Sequence, residues 1–216
     1  MADTPHIPAF PTGAAEFAPG CTVWREAIPR ALCARTIAAM EAAGARQGTV
    51  LRRGGEEHDP AMRACTEHAV SAPDAAAVAQ ALRTAGAAAL RAAGGGHPAF
   101  DGPLFCRYAR GGHFRAHRDR SHDGADNAVV RGRRISLVCL LNDAEATPGM
   151  PAFDGGALVL YPERRPVNVP LAAGAIVAFP ADLLHEVRPV RLGIRYAAVA
   201  WLFDVPTPEE TQHAQS

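Results

Sequence analysis

The sequence predicts a mainly β fold, a β-sandwich or jelly roll, with N-terminal helices packed on the outer face of one sheet. Three observations support this. After residue 100, short β-rich runs recur, separated by Gly, Pro, Asn and Asp, the spacing of an all-β sandwich or barrel. Ahead of them lie two stretches of helical pattern, and a sheet with an apolar outer face needs a covering layer. With 216 residues, 48% of them hydrophobic, the chain can bury one sizeable core.

Residues 1–20, rich in Pro, Gly and Ala, read as a loosely ordered lead. Residues 29–43 read as a helix: Pro29 suits its first turn, Leu32, Ile37 and Met40 share an apolar side, and Gly44 ends it. Residues 46–68 show no clean period. A second helix runs over 73–93, with Ser71 or Asp74 as cap, Ala filling it, and Gly94-Gly95-Gly96 stopping it. Strands follow at 104–110, 134–142, 157–162, 175–180, 184–190 and 194–205, with weaker candidates at 112–119 and 167–171. A turn centred on Gly193 would let 184–190 and 194–203 pair as a hairpin. The resulting organisation is a lead at 1–28, a helical preface at 29–99, the β core at 100–205 and a tail at 206–216.

Composition narrows the chemistry. The 22 basic and 22 acidic residues cancel, which argues against broad binding to nucleic acid or anionic membrane. Every basic residue is Arg, so no lysine Schiff base can form and no lysine can cradle a phosphate; pyridoxal-phosphate enzymes and Walker-type nucleotidases are excluded. Five Cys, an odd number with no C-x-x-C pair, speak against a disulfide framework or a zinc ribbon. The N-terminus lacks the basic-then-apolar order of a secretory signal, and the 72–93 stretch carries Asp74, Gln80, Arg83 and Arg91, so it is no membrane span. The expected setting is the cytoplasm.

The candidate chemistry centres on His117-Arg118-Asp119. In an extended chain, residues two apart face the same way, so an imidazole and a carboxylate can reach one ion. His185, near the start of a late strand, supplies a third ligand. Two His and one carboxylate on one face of an octahedron leave three positions open, which suits non-haem Fe(II) oxygenases. Arg195 lies ten residues after His185. Inside the same apolar barrel it would need an anion, because an unpaired buried charge is too costly; a dicarboxylate cosubstrate would supply one. Gly111-Gly112 can turn tightly to aim the His117 strand, and Gly155-Gly156 permits a sharp entry to the next.

These pieces form an ordered series: Tyr108-x-x-Gly-Gly-x-Phe-x-x-His117-x-Asp119, Arg134-Ile-Ser-Leu-x-x-x-Leu-Asn142, Phe153-Asp-Gly-Gly-x-Leu158, Gly174-x-Ile176-x-x-Phe179-Pro, His185-Glu-Val and Gly193-x-Arg195-Tyr. Over roughly the last hundred residues, the set resembles the prolyl-4-hydroxylase-like branch of the iron(II)/2-oxoglutarate-dependent dioxygenases. The resemblance implies a double-stranded β-helix (jelly roll). It implies that His117, Asp119 and His185 bind catalytic Fe(II) and that Arg195 pairs with the distal carboxylate of 2-oxoglutarate. It places Tyr108 near the cosubstrate or substrate and makes Leu158 and Val187 walls of the cosubstrate pocket. Leu140 departs from the pattern, standing where some relatives carry a second tyrosine. The implied reaction consumes O₂ and 2-oxoglutarate, releases succinate and CO₂, and hydroxylates a C–H bond, with room for ascorbate as an accessory reductant. Related halogenases lack the carboxylate that Asp119 provides, so hydroxylation is expected.

The family acts on peptidyl proline, other protein residues, free amino acids and small metabolites. A compact chain with no obvious peptide-binding module leans toward a small molecule or free amino acid. The polar loop 120–134 reads either as solvated or as a lid whose Arg120, Arg131 and Arg133 meet an acidic substrate, and the loop 143–155 would border the entrance. Two rivals are a non-catalytic, metal-binding cupin-like module and a zinc hydrolase on His113 and His117. Against the hydrolase, position 114 is Phe rather than the Glu base, and a strand holds such residues about 13 Å apart. The Ala-rich helix could also serve as an interaction surface.

Overall fold

The computed structural model describes residues 13–204, apart from 54, 97, 125 and 171. In chain order the elements of the first half are β1 (Ala14–Ala18), β2 (Cys21–Trp24), α1 (Arg30–Ala42), β3 (Ala45–Gln47), β4 (Val50–Arg52), β5 (Gly55–Glu57), β6 (Arg63–Ala64), β7 (Thr66–His68) and α2 (Ala72–Ala92). The second half holds β8 (Pro98–Tyr108), β9 (His113–His117), α3 (Ala128–Gly132), β10 (Arg133–Leu140), β11 (Phe153–Gly155), β12 (Leu158–Leu160), β13 (Val167–Asn168), β14 (Ile176–Pro180), β15 (His185–Val187), β16 (Val190–Gly193) and β17 (Arg195–Asp204).

The apolar run of β10 is buried from Ile135 to Leu140, as a strand covered on both faces must be. It lies between β14 and β17 in an eight-stranded sheet of order β1-β2-β14-β10-β17-β8-β7-β3. A five-stranded sheet of order β13-β12-β15-β9-β6 faces it. Cys106, Tyr108, Val138, Val177 and Phe179 from the larger sheet pack with Leu158, Leu160 and Val187 from the smaller. On the other side of the larger sheet, Leu32 and Met40 of α1 and Leu82 and Leu90 of α2 cluster with Leu137, Ile176 and Leu202. Helix α2 lies against β8, β10, β14 and β17. Its small residues let it come close: a Cβ added at Gly86 would sit 2.4 Å from Leu202 Cδ1 and 2.8 Å from Leu137 Cδ1.

Both helices fall within a residue or so of their expected spans. Leu90 O accepts the Gly95 N–H at 2.9 Å beyond a left-handed Gly94 (φ 79°), the expected glycine stop. Ser71 takes the N-cap position of α2 but makes no side-chain cap bond; its hydroxyl faces Asp74 instead.

Three readings are corrected. Part of the supposed loose lead forms β1 and β2, which extend the larger sheet beyond β14. The aperiodic 46–68 stretch holds five short strands, too brief for a period to show, that serve three different sheets. The 184–190 and 194–203 runs do not form a hairpin. Pro189, which cannot donate to a ladder, separates β15 from β16. β15 pairs with β9 and β12, whereas β17 pairs with β8 and β10 in the opposite sheet.

Candidate active site

The antiparallel pairing of β9 with β15 sets His117 directly opposite His185. Their ring centroids are 4.2 Å apart. Asp119 lies just past the end of β9, and its carboxylate reaches both rings: Oδ1 is 3.4 Å from His117 Nε2 and Oδ2 is 3.4 Å from His185 Nε2. One donor atom from each of the three falls within 4.8 Å of the others, a spacing that one metal ion could bridge.

The surroundings fix this orientation. His117 Nδ1 faces Arg115 O at 2.8 Å and His185 Nδ1 faces Leu183 O at 2.9 Å, which turns each Nε2 toward the centre. Phe114 stacks on His117 and Phe179 meets His185 edge-on. Burial, and then the neighbouring His117, push the His185 pKa down to about 4, so the ring is neutral at pH 7 and its Nε2 lone pair is free to ligate. Burial opposes the charge on Asp119, but the two imidazoles and the Ser136 hydroxyl outweigh it and hold the carboxylate well below its usual range. Ser136 Oγ donates to Asp119 Oδ2 at 2.7 Å across the sheets.

The three side chains open onto a cavity of about 510 Å³. Arg195 lines it, 2% exposed, with its guanidinium carbon 5.3 Å from the Tyr108 ring centroid. Arg195 Nη2 has no hydrogen-bond partner among the described residues. Leu158 and Val187, paired across β12 and β15, form a wall of the same cavity. Every expected site residue therefore borders one space. Gly156 (φ 60°) makes room for Arg195: a Cβ there would stand 3.0 Å from Arg195 Cδ.

Other expectations meet a different outcome. Of the loop 120–134, Asn127, Val129, Val130 and Arg133 line the cavity, but Arg120 and Arg131 do not; Arg120 Nε bonds to Arg131 O at 3.2 Å. No described residue of 143–155 lines the cavity. Asn142 and Asp143 anchor the start of that loop elsewhere, at Ile194 O (2.7 Å) and Arg30 (2.9 Å). The β4–β5 hairpin, absent from the sequence reading, forms part of the cavity wall through Val50 and Arg52. Ser136, which bonds Asp119, is signalled in the sequence only by a lone hydroxyl in an apolar strand. His113, the hydrolase candidate, turns both ring nitrogens to backbone carbonyls of Gly111 and Ala61.

The sequence model of the 2OG-Fe(II) oxygenase superfamily matches residues 103–203. A PKHD-type hydroxylase of Pseudomonas putida is 36% identical over 100 residues, 46% of this chain and 42% of the relative, so the match spans less than half of that protein. Among solved structures, a Pseudomonas putida prolyl-4-hydroxylase superposes with a TM-score of 0.59 at 22% identity, covering 87% of this chain and 94% of that one. A prolyl hydroxylase of Trichoplax adhaerens, in complex with a hypoxia inducible factor peptide fragment, gives 0.68 at 16% identity, covering 91% and 87%. These two likenesses concern the fold.

Proposed function

We propose that the chain is an Fe(II)- and 2-oxoglutarate-dependent dioxygenase, a reading supported by the match of residues 103–203 to the 2OG-Fe(II) oxygenase superfamily model. It hydroxylates an unactivated C–H bond of an amino acid, a peptidyl residue or a small metabolite. The two facing sheets, with α1 and α2 outside the larger, are read as a double-stranded β-helix. A cytoplasmic setting agrees with five cysteines that are all buried and unpaired. No helix among the described residues is long and apolar enough to cross a membrane.

The observation that carries the proposal is Arg195, a buried guanidinium with an unpartnered Nη2 in the cavity that His117, Asp119 and His185 share. A charge so placed calls for an anion, and the distal carboxylate of 2-oxoglutarate fits it. The His–Asp–His donor set suits Fe(II) with positions left open. When bound, iron with 2-oxoglutarate and O₂ supplies the oxidation, with succinate and CO₂ as co-products. The protein's own part is to orient and shield. Asp119, braced by Ser136, presents its carboxylate; Tyr108 lies beneath the Arg195 guanidinium; Leu158 and Val187 exclude water from the cosubstrate side.

Purified chain supplied with Fe(II), 2-oxoglutarate and ascorbate should release succinate, and His117→Ala or Asp119→Ala should abolish the release. Metal binding with no succinate from the unaltered chain, across a broad substrate panel, would point instead to a cupin-like binding module.

A further inference from the structure

Arg133 is a second guanidinium in the same cavity with unused bonding capacity. Its side chain is only 11% exposed. Its guanidinium carbon lies 3.6 Å from the Trp201 ring centroid, and its Nε is buried with no hydrogen-bond partner among the described residues. The ion pair it makes with Asp101 is loose, 3.4 Å to a carboxylate that is 44% exposed. Neighbouring Arg63 also leaves a buried Nε unpartnered among the described residues, but its Nη1 is engaged, bonding Thr49 O at 2.7 Å and Glu67 at 2.8 Å. Burial disfavours the Arg133 charge, and the Asp119 and Asp101 carboxylates offset that only in part, so an anion at this spot would relieve a remaining cost.

One cosubstrate cannot satisfy both arginines. Arg133 pairs with Phe203 in β17, eight residues beyond Arg195. With Arg195 on the distal carboxylate of 2-oxoglutarate and the triad's metal on its keto-acid end, the cosubstrate has no further carboxylate to offer Arg133. Arg133 thus belongs to the part of the cavity left for another molecule, beyond the triad. Val129, Val130 and Val199 give that part apolar walls.

Building on the dioxygenase reading above, we propose that Arg133 and Asp101 clamp the headgroup of a free amino acid, the substrate: Arg133 takes the carboxylate and Asp101 the ammonium. Stacking on Trp201 holds the guanidinium plane so that its edge meets a carboxylate in two-pronged fashion. Asp101, exposed and weakly held, turns from Arg133 to the ammonium as the headgroup enters. An internal residue of a peptide carries neither charge and has nothing to offer this pair.

Anaerobic calorimetry on the full chain, loaded with Mn(II) and 2-oxoglutarate, tests the clamp. Each common L-amino acid is titrated, followed by the carboxamide and N-acetyl forms of the best binder. At least one free amino acid should bind, with both blocked forms weaker by about tenfold or more. Arg133→Gln should weaken the free acid to a similar degree while leaving 2-oxoglutarate affinity within about twofold, and Asp101→Asn should remove discrimination against the N-acetyl form. The ligand series on the unaltered chain decides by itself if a variant folds poorly. Equal binding of acid and carboxamide, or no amino acid binding while 2-oxoglutarate binds, would overturn the clamp. Failure of 2-oxoglutarate itself to bind would overturn the dioxygenase reading beneath it.

Discussion

Ser136 shows how a single hydroxyl can shape a metal site. By bonding Asp119 Oδ2 at 2.7 Å, it holds the carboxylate between the two imidazoles and favours ligation through one oxygen. Removing such a partner commonly costs about 10–100-fold in metal affinity. Ser136→Ala should weaken Fe(II) or Mn(II) by about tenfold in a competition titration against a chromophoric chelator; unchanged affinity would mean that the bond has no part in placing Asp119. Asn142 acts on the other side of the site. Its amide bonds Pro151 O at 2.6 Å and Ile194 O at 2.7 Å while its Oδ1 accepts from Tyr196 N–H at 2.8 Å, which pins the backbone on both sides of Arg195. Asn142→Ala leaves these groups buried and unpaired, so denaturant unfolding should show a loss of roughly 1–3 kcal/mol. His117, Asp119, His185 and Arg195 were legible because each is a distinctive residue in a spaced motif. Ser136 was not: it lies 17 residues from Asp119, and only the facing of the two sheets brings them together.

At the scale of elements, α2 illustrates how composition encodes distance. Gly86 admits the Leu202 and Leu137 side chains of the sheet beneath it. Gly86→Leu would force the helix outward, and overpacking of this kind costs roughly 1–3 kcal/mol. A lower melting temperature with retained helical circular dichroism is expected; an unchanged one would show that α2 is not held against the sheet. Longer elements were readable, α2 from its alanine run and glycine stop and β10 from a continuous β-rich apolar run. β1 and β2, five and four residues long, were hidden by their Pro-, Gly- and Ala-rich surroundings. The supposed hairpin failed for a related reason: a spacing of ten residues cannot tell a strand that turns back from one that crosses to the opposite sheet, as the β15–β16–β17 path does.

At the scale of the whole molecule, the site exists only while the two sheets face each other. His117 and His185 come from the smaller sheet, Ser136 and Arg195 from the larger. A metal and an anion that bind between them stabilise the folded state by mass action. Thermal unfolding should therefore rise in temperature with Mn(II), and further when 2-oxoglutarate is added to it. The loop walls of the cavity were least legible, since α3 and the β4–β5 hairpin are set by tertiary contacts such as the Arg53 ion pairs with Asp123 and Asp126.

That the His–Asp–His triad and Arg195 make one site is tested most directly by anaerobic calorimetry of 2-oxoglutarate binding, with and without Mn(II), to the unaltered chain and to Arg195→Ala. If they form one site, binding requires the metal and falls by at least about tenfold in Arg195→Ala. Equal binding without metal, or an affinity that Arg195→Ala leaves unchanged, would contradict it.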